Sequence, residues 1–350
     1  METGNQRYKA KQTILLTGAG FTQSFGGYLA SQMWSEILNQ PEIKRRQDLR
    51  EKVLDQTNYE TLYDDVLYSG NYKPDRHELL TTAIRNVYEQ MHHEILRQEP
   101  DHENKAFGVM KYFVHQFAGS GDELGVFFTL NQDLFVENFY GGLGEPIKLP
   151  GITTSKWYNK RFGPKVEKQN QIQLGDKDSV EKEEGEFWKT LPTRFVYIKL
   201  HGSYGWIGHD GSDAMVIGHT KTRIIEKEPL LKFYLSLFKK VLNEGDRNLV
   251  VIGYGFRDDH INKILADAVD SKGLRLHVVL PTEARHFRSD VLDTLPPCSG
   301  QSIGDRLWKG LCSYHQSKAT DFYHGDKPHL SSDTGLTPRG QRFFRIVVLL

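Results

Sequence analysis

Five short apolar runs constrain this chain more than any other feature: 13–17 (TILLT), 126–130, 195–200, 248–252 and 275–280. Each is rich in β-branched or aromatic residues, and each ends in a glycine or polar turn. Strands without a polar face are covered on both sides. The runs therefore predict a parallel sheet with helices packed on its two faces. The first run passes through Gly18 and Gly20 into a helical pattern, a strand–turn–helix unit. The expected fold class is α/β, a Rossmann-like parallel sheet with flanking helices.

About a hundred residues with little strand character separate the first two runs. Asp75, with Glu78 three residues on, predicts a helix start with Asp75 as N-cap. Leu80, Ile84, Val87, Met91 and Ile95 continue at helical spacing, and Phe107, Met110, Val114 and Phe117 trace a second stripe. Such stripes are core-facing. They predict a helical module, about 40–120, inserted in the α/β domain. The charged stretch of about 160–190 reads as a solvated loop. Residues 229–242 predict a helix with Leu231, Tyr234, Leu235 and Phe238 on one face. Beyond 296 the periodicity fades, and RFFRIVVLL (342–350) reads as an edge strand. The expected organisation is a domain over 1–295 and a C-terminal extension over 296–350 that serves as an assembly contact.

Composition narrows the classes. The 45 basic and 45 acidic residues cancel, leaving no overall field to draw nucleic acid or a membrane surface. Low net charge also favours self-association, so a homo-oligomer is expected. Cys298 and Cys312 are far apart, which excludes a disulfide framework and a four-cysteine zinc module. They point to a reducing compartment. No apolar run reaches the roughly 18–20 residues that span a bilayer. METGNQRYKAKQ has no signal-peptide core. The expectation is a soluble cytoplasmic protein.

The first turn fails the full dinucleotide fingerprint, because Gln23 stands where G-x-G-x-x-G needs its third glycine. Glu36 lies in a helical pattern and no strand follows it, which argues against a hydride-transfer dehydrogenase. Gly18 and Gly20 still admit an anion, and a helix starting near Thr22 would aim free N–H groups at it. The later runs end in Asn131-Gln132-Asp133, in His201-Gly202-Ser203, and in Gly253-Tyr254-Gly255 followed by Arg257-Asp258-Asp259-His260. In a parallel sheet all these ends share one edge, so polar groups from four strands converge on one crevice. His92 and His93 are adjacent and share no helix face; no metal is expected.

These residues resemble a known family. Thr17-Gly18-Ala19-Gly20-Phe21-Thr22 resembles the GAG-x-S turn of sirtuins. Asn131-Gln132-Asp133 is similar to their Asn-x-Asp element, His201-Gly202 to their catalytic His-Gly, and Gly253-Tyr254-Gly255 falls where they have Gly-x-Ser. The order agrees over roughly residues 10–295. Two departures stand out. The paired CxxC motifs of a zinc ribbon are missing, and Phe25-Gly26-Gly27-Tyr28-Leu29 replaces the Gly-Ile-Pro-x-Phe-Arg segment of protein deacylases. The helical insertion and GYGFRDDHIN look more like prokaryotic sirtuin-like proteins of antiphage defence. Those hydrolyse NAD, often with a partner such as a HerA-type ATPase, an Argonaute or a phage-sensing domain.

The resemblance implies NAD as substrate, cleaved to nicotinamide and ADP-ribose without a metal. Oligomerisation or a partner would gate the reaction. Asn131 would orient the water or the ribose hydroxyls, and His201 would act as base. Gly18, Ala19 and Gly20 would hold the pyrophosphate. Phe21 and Thr22 complete that turn, with Thr22 as phosphate ligand or N-cap. Asp133 would bind the carboxamide or cap the next helix. Gly202 and Ser203 flank the histidine. Gly253, Tyr254 and Gly255 would admit the adenosine half, and Asp258 would hold its ribose or cap a helix over 258–269. The alternatives are an NAD-dependent deacylase or ADP-ribosyltransferase, and a non-catalytic nucleotide-sensing subunit.

Overall fold

A computed structural model describes residues 9–97, 105–140, 147–152, 172–189, 195–323 and 336–347. Its strands are β1 (Lys9–Ala10), β2 (Thr13–Thr17), β3 (Glu123–Thr129), β4 (Ile172–Gln173), β5 (Phe195–Lys199), β6 (Trp206–Ile207), β7 (Asn248–Ile252), β8 (Arg275–Leu280) and β9 (Leu311–Gln316). The main sheet runs β5-β3-β2-β7-β8-β9, with β1 pairing the start of β3. Every ladder in it is parallel. The five apolar runs are thus strands of one parallel sheet, and β2, β5 and β7 are buried at every position. β4 and β6 form a separate parallel pair.

Helices cover the faces. Pro229–Leu242 buries Leu231, Tyr234, Leu235 and Phe238 as its spacing predicts, together with Leu230, Phe233, Leu237 and Val241. Phe238 meets Phe128 of β3 edge-on at 4.8 Å between ring centres. Each such buried side chain contributes about 1.5–3 kcal/mol.

The helical module comprises Ala30–Asn39, Pro41–Lys44, Gln47–Asp55, Tyr59–Tyr68 and Pro74–Arg97, so its helices begin before residue 40. Leu80, Ile84, Val87, Met91 and Ile95 are buried as expected. The long helix starts at Pro74, whose fixed φ suits a first helical position. Asp75 is therefore in its first turn rather than at the N-cap, and it pairs with Arg76. Lys105–His115 follows, with Met110 and Val114 buried; the side chain of Phe107 lies outside the described ones.

Two sequence expectations need correction. The stretch read as a charged loop contains β4 and a helix, Lys177–Glu186, whose N-cap Asp176 accepts a bond from the Ser179 N–H at 3.0 Å. Residues 153–171 and 190–194 of that region lie outside the described residues. The described part of RFFRIVVLL, residues 342–347, is helix and not an edge strand; 348–350 lie outside the described residues. Pro338–Val347 is a helix that buries Gly340, Phe343, Phe344 and Val347. Phe343 stacks on Phe322 at 4.4 Å and on Phe113 at 6.1 Å. The edge position belongs to β9 instead. The described residues of 296–350 therefore add a strand to the sheet and two helices, Ile303–Lys309 and Pro338–Val347, that bury side chains in the core.

Candidate functional site

β2 and β7 are neighbours, so the turns that follow them meet. The Gly18 N–H donates to the Ile252 carbonyl at 3.0 Å, and the Gly20 N–H to the Gly253 carbonyl at 2.9 Å. A Cβ on Gly20 would lie 2.7 Å from Gly253 Cα. One on Gly253, whose φ is +63°, would lie 2.3 Å from the Phe21 nitrogen. Glycine is needed here because two backbones touch, before any ligand is considered. The helix after the first turn spans Ala19–Gln23 with Gly18 as N-cap. Thr22 is thus its fourth residue and not its start, which corrects the expected cap. Its buried hydroxyl donates to Asp133 Oδ2 at 3.0 Å instead.

The loop after β3 is bound to this helix. Asn131 donates from Nδ2 to the Gly18 carbonyl (3.1 Å) and to Thr22 Oγ1 (3.0 Å). With both amide hydrogens used, the Oδ1 acceptor is what Asn131 has left to offer. Asp133 accepts from the Phe135 N–H at 2.9 Å through Oδ1, at the foot of the helix Phe135–Phe139. From below, Lys199 at the end of β5 donates to the Asp133 carbonyl and pairs with Glu137 at 2.7 Å, both side chains fully buried. Gln132 accepts from the Tyr88 hydroxyl at 2.6 Å, tying the loop to the helical module.

His201 follows β5 and is 3% exposed. Its Nε2 lies 3.2 Å from His260 Nε2 and 3.9 Å from Asp258 Oδ1. Asp258 is held more closely by Lys221, at 2.6 Å, and Lys221 also pairs with Glu60 at 2.8 Å. Burial pushes His201 down to about 3, against an upward pull from Asp258, so the imidazole is neutral at pH 7. Burial tends to raise the Asp258 carboxyl, but His201 and Lys221 outweigh it and hold it at about 2. Lys221 is raised despite burial, because Asp258 and Glu60 surround it.

His201, Asp258 and His260 have donor atoms within 4.8 Å of one another. A metal there would meet the Lys221 ammonium already seated on Asp258. His, Asp and His are ligand types that a divalent metal takes, but here the cationic partner of the carboxylate is built into the chain as Lys221.

A cleft of roughly 690 Å³ opens along the carboxyl edge of the sheet. Among the expected site residues it brings together Gly18, Ala19, Gly20, Asn131, Asp133, His201, Gly253, Tyr254, Gly255 and Asp258. Four others lie behind its wall. Phe21 is core, in edge contact with Phe25 at 5.4 Å and Phe127 at 6.3 Å. Thr22 is spent as described. Gly202 takes φ +66° in a turn where a Cβ would lie 1.9 Å from the Ala214 carbonyl. Ser203 donates to the Gln132 carbonyl at 3.0 Å. Asp258 stands at the N-cap of the helix Asp259–Lys272, as the capping alternative expects, but its side chain makes no cap bond.

The cleft also holds residues that sequence reasoning missed. Tyr59, Glu60, Tyr88 and Met91 come from the helical module, Lys221 from the first position of the helix Lys221–Lys227, and Ser317 and Lys318 from the end of β9. His260 lay inside GYGFRDDHIN, so its position was available. Glu60 and Lys221 carried no signal, since a charged residue on a helical pattern reads as solvent-facing.

Fold and site together define an α/β protein with a Rossmann-like sheet and a polar cleft at its carboxyl edge, where open α/β sheets bind ligands. The family model of the SIR2-like domain matches residues 125–295, from β3 past the end of β8. Such a domain is compatible with an NAD-using enzyme. No curated protein matches the chain. Among the described residues no helix is long and apolar enough to cross a membrane.

Proposed function

We propose that the protein binds NAD in this cleft and hydrolyses its nicotinamide–ribose bond, giving nicotinamide and ADP-ribose. The observation that carries the reading is that Asn131 and His201, from two different strand ends, line one cleft with the Gly18–Gly20 turn. A cleft of roughly 690 Å³ is within the range of sites that enclose a small-molecule ligand.

Cleavage of this bond passes through an oxocarbenium-like state, as in glycoside hydrolysis. Nicotinamide leaves neutral with the electron pair of the C–N bond, so no metal is needed to stabilise it. The water oxygen bonds to the ribose C1′, and one water proton must be taken up. Asn131 Oδ1 accepts a bond from this water and orients it. The neutral His201 takes the proton and returns it to solvent. Asp258 and Glu60 outnumber Lys221, so the cluster is net negative with neutral histidines and favours the developing cation.

In the cell this activity would deplete NAD during antiphage defence, gated by homo-oligomerisation or by a partner such as a HerA-type ATPase or an Argonaute. A deacylase or ADP-ribosyltransferase needs a peptide beside His201. The burial of His201, 3% exposed, favours water as acceptor. The test is nicotinamide release from NAD by the purified protein, alone and with the products of neighbouring genes. Asn131→Ala and His201→Ala should abolish it with circular dichroism unchanged. If no condition yields nicotinamide, the hydrolase reading fails.

A further inference from the structure

Lys221 is a nine-tenths buried lysine that bonds two carboxylates from two different parts of the chain. Glu60 belongs to the helix Tyr59–Tyr68 of the helical module. Asp258 stands at the head of Asp259–Lys272, beside the proposed base. Asp258 Oδ1 is 2.6 Å from the Lys221 ammonium but 3.9 Å from His201 Nε2. The carboxylate is thus claimed by the lysine rather than the imidazole.

We propose that Lys221 is a positioning residue which, by taking the Asp258 carboxylate for itself, keeps His201 unprotonated and ready to accept a proton. The inference rests on the hydrolase reading for its catalytic meaning, but the charge arrangement can be tested without it. A buried carboxylate without a partner is strongly disfavoured. Without Lys221, the groups left beside Asp258 that can become cationic are His201 and His260. One imidazole would then take up a proton at a higher pH than it does beside Lys221 and could pair with Asp258 in its place.

The other charged groups bearing on the cluster do not change this outcome. Glu60 would lose its cation and add further negative charge. Asp259 and Lys239 act on His260 with opposite signs. Tyr254 is buried against Asp258 with its phenol raised well above the usual range, so it stays neutral. The histidine shift to about 3 has Lys221 among its causes, in the same direction.

The experiment compares wild type, Lys221→Met and Lys221→Arg. In the methionine variant the acid limb of kcat/KM for NAD should move up by about one to three pH units, the usual effect of an opposite charge brought into play. The arginine variant keeps the charge and should keep the wild-type limb. An unmoved acid limb in Lys221→Met overturns the proposal. So does an equal shift in both variants, which would indicate a packing effect. Titration of the histidine resonances by NMR, assigned with His201→Ala and His260→Ala, is the second readout. An upward shift of one imidazole in Lys221→Met, absent in Lys221→Arg, supports the proposal even if wild type releases no nicotinamide and the hydrolase reading falls. Identical titrations in all three proteins refute it.

Discussion

Gly253→Ala separates two reasons for a glycine. The φ of +63° at Gly253 is left-handed, which costs an L-residue about 1–2 kcal/mol. The new Cβ would also lie 2.3 Å from the Phe21 nitrogen and 2.6 Å from Gly20 Cα, backbone atoms that cannot turn aside. Forced overpacking of that kind costs about 1–3 kcal/mol. The expected loss is therefore about 2–5 kcal/mol. Two controls isolate the parts. Gly273→Ala has φ +67° with nothing within 4 Å, so it carries the torsional cost alone. Gly20→Ala meets Gly253 Cα at 2.7 Å without a left-handed φ, so it carries the steric cost alone. Urea unfolding followed by tryptophan fluorescence should rank Gly253→Ala as the least stable, near the sum of the two controls. If Gly253→Ala is no less stable than Gly273→Ala, the two turns do not press together and the geometry given for the cleft floor is wrong.

Lys199→Met strands the Glu137 carboxylate in the core and should cost about 3–5 kcal/mol in urea unfolding, whereas a Lys199→Met/Glu137→Leu pair should recover most of it. Burial raises Glu137 above its usual value, so the folded state favours the protonated acid and the single-variant deficit should shrink as pH falls. Asp213 is raised to about 6 by burial, against its ion pair with Arg85 at 2.7 Å. For an acid raised in the fold, the stability it confers is full below the unfolded value of 3.8 and is lost as pH rises through 6. The stability of wild type minus that of Asp213→Asn should therefore fall between pH 4 and 7, by at most about 3 kcal/mol. A flat difference would mean that Arg85 compensates fully.

The parallel sheet was legible because burial on both faces writes itself into short, wholly apolar runs. β2, β7 and β8 match their runs residue for residue. β9 was not legible, since LCSYHQ is an edge strand with intermediate burial along most of its length and carries no apolar signature. The terminal helix was misread for the opposite reason. The cluster of Ile346 and the apolar residues after it suggested a strand, while Gly340, Phe343, Phe344 and Val347 kept a helical period that Pro338 introduces. At the site, side chains at the ends of strands could be placed from strand direction alone, as with Asn131, His201 and Asp258. Glu60 reaches the cleft from the helical module and Lys221 from the helix Lys221–Lys227, a tertiary meeting that no local pattern encodes. The glycines of both turns were read for a ligand, and the structure gives them a prior reason in backbone contact.

The helix Tyr59–Tyr68 does more than supply Glu60. Thr61 Oγ1 lies 3.0 Å from His219 Nε2, and Asp64 accepts from the His219 N–H and from Thr220 Oγ1. Three successive residues, 219–221, the turn and the first residue of the helix Lys221–Lys227, are thus held by one helix. Helix and turn are thereby joined as one mechanical unit, so strain applied to the outer surface of the module would be felt at the Lys221 ammonium and at its pairing with Asp258.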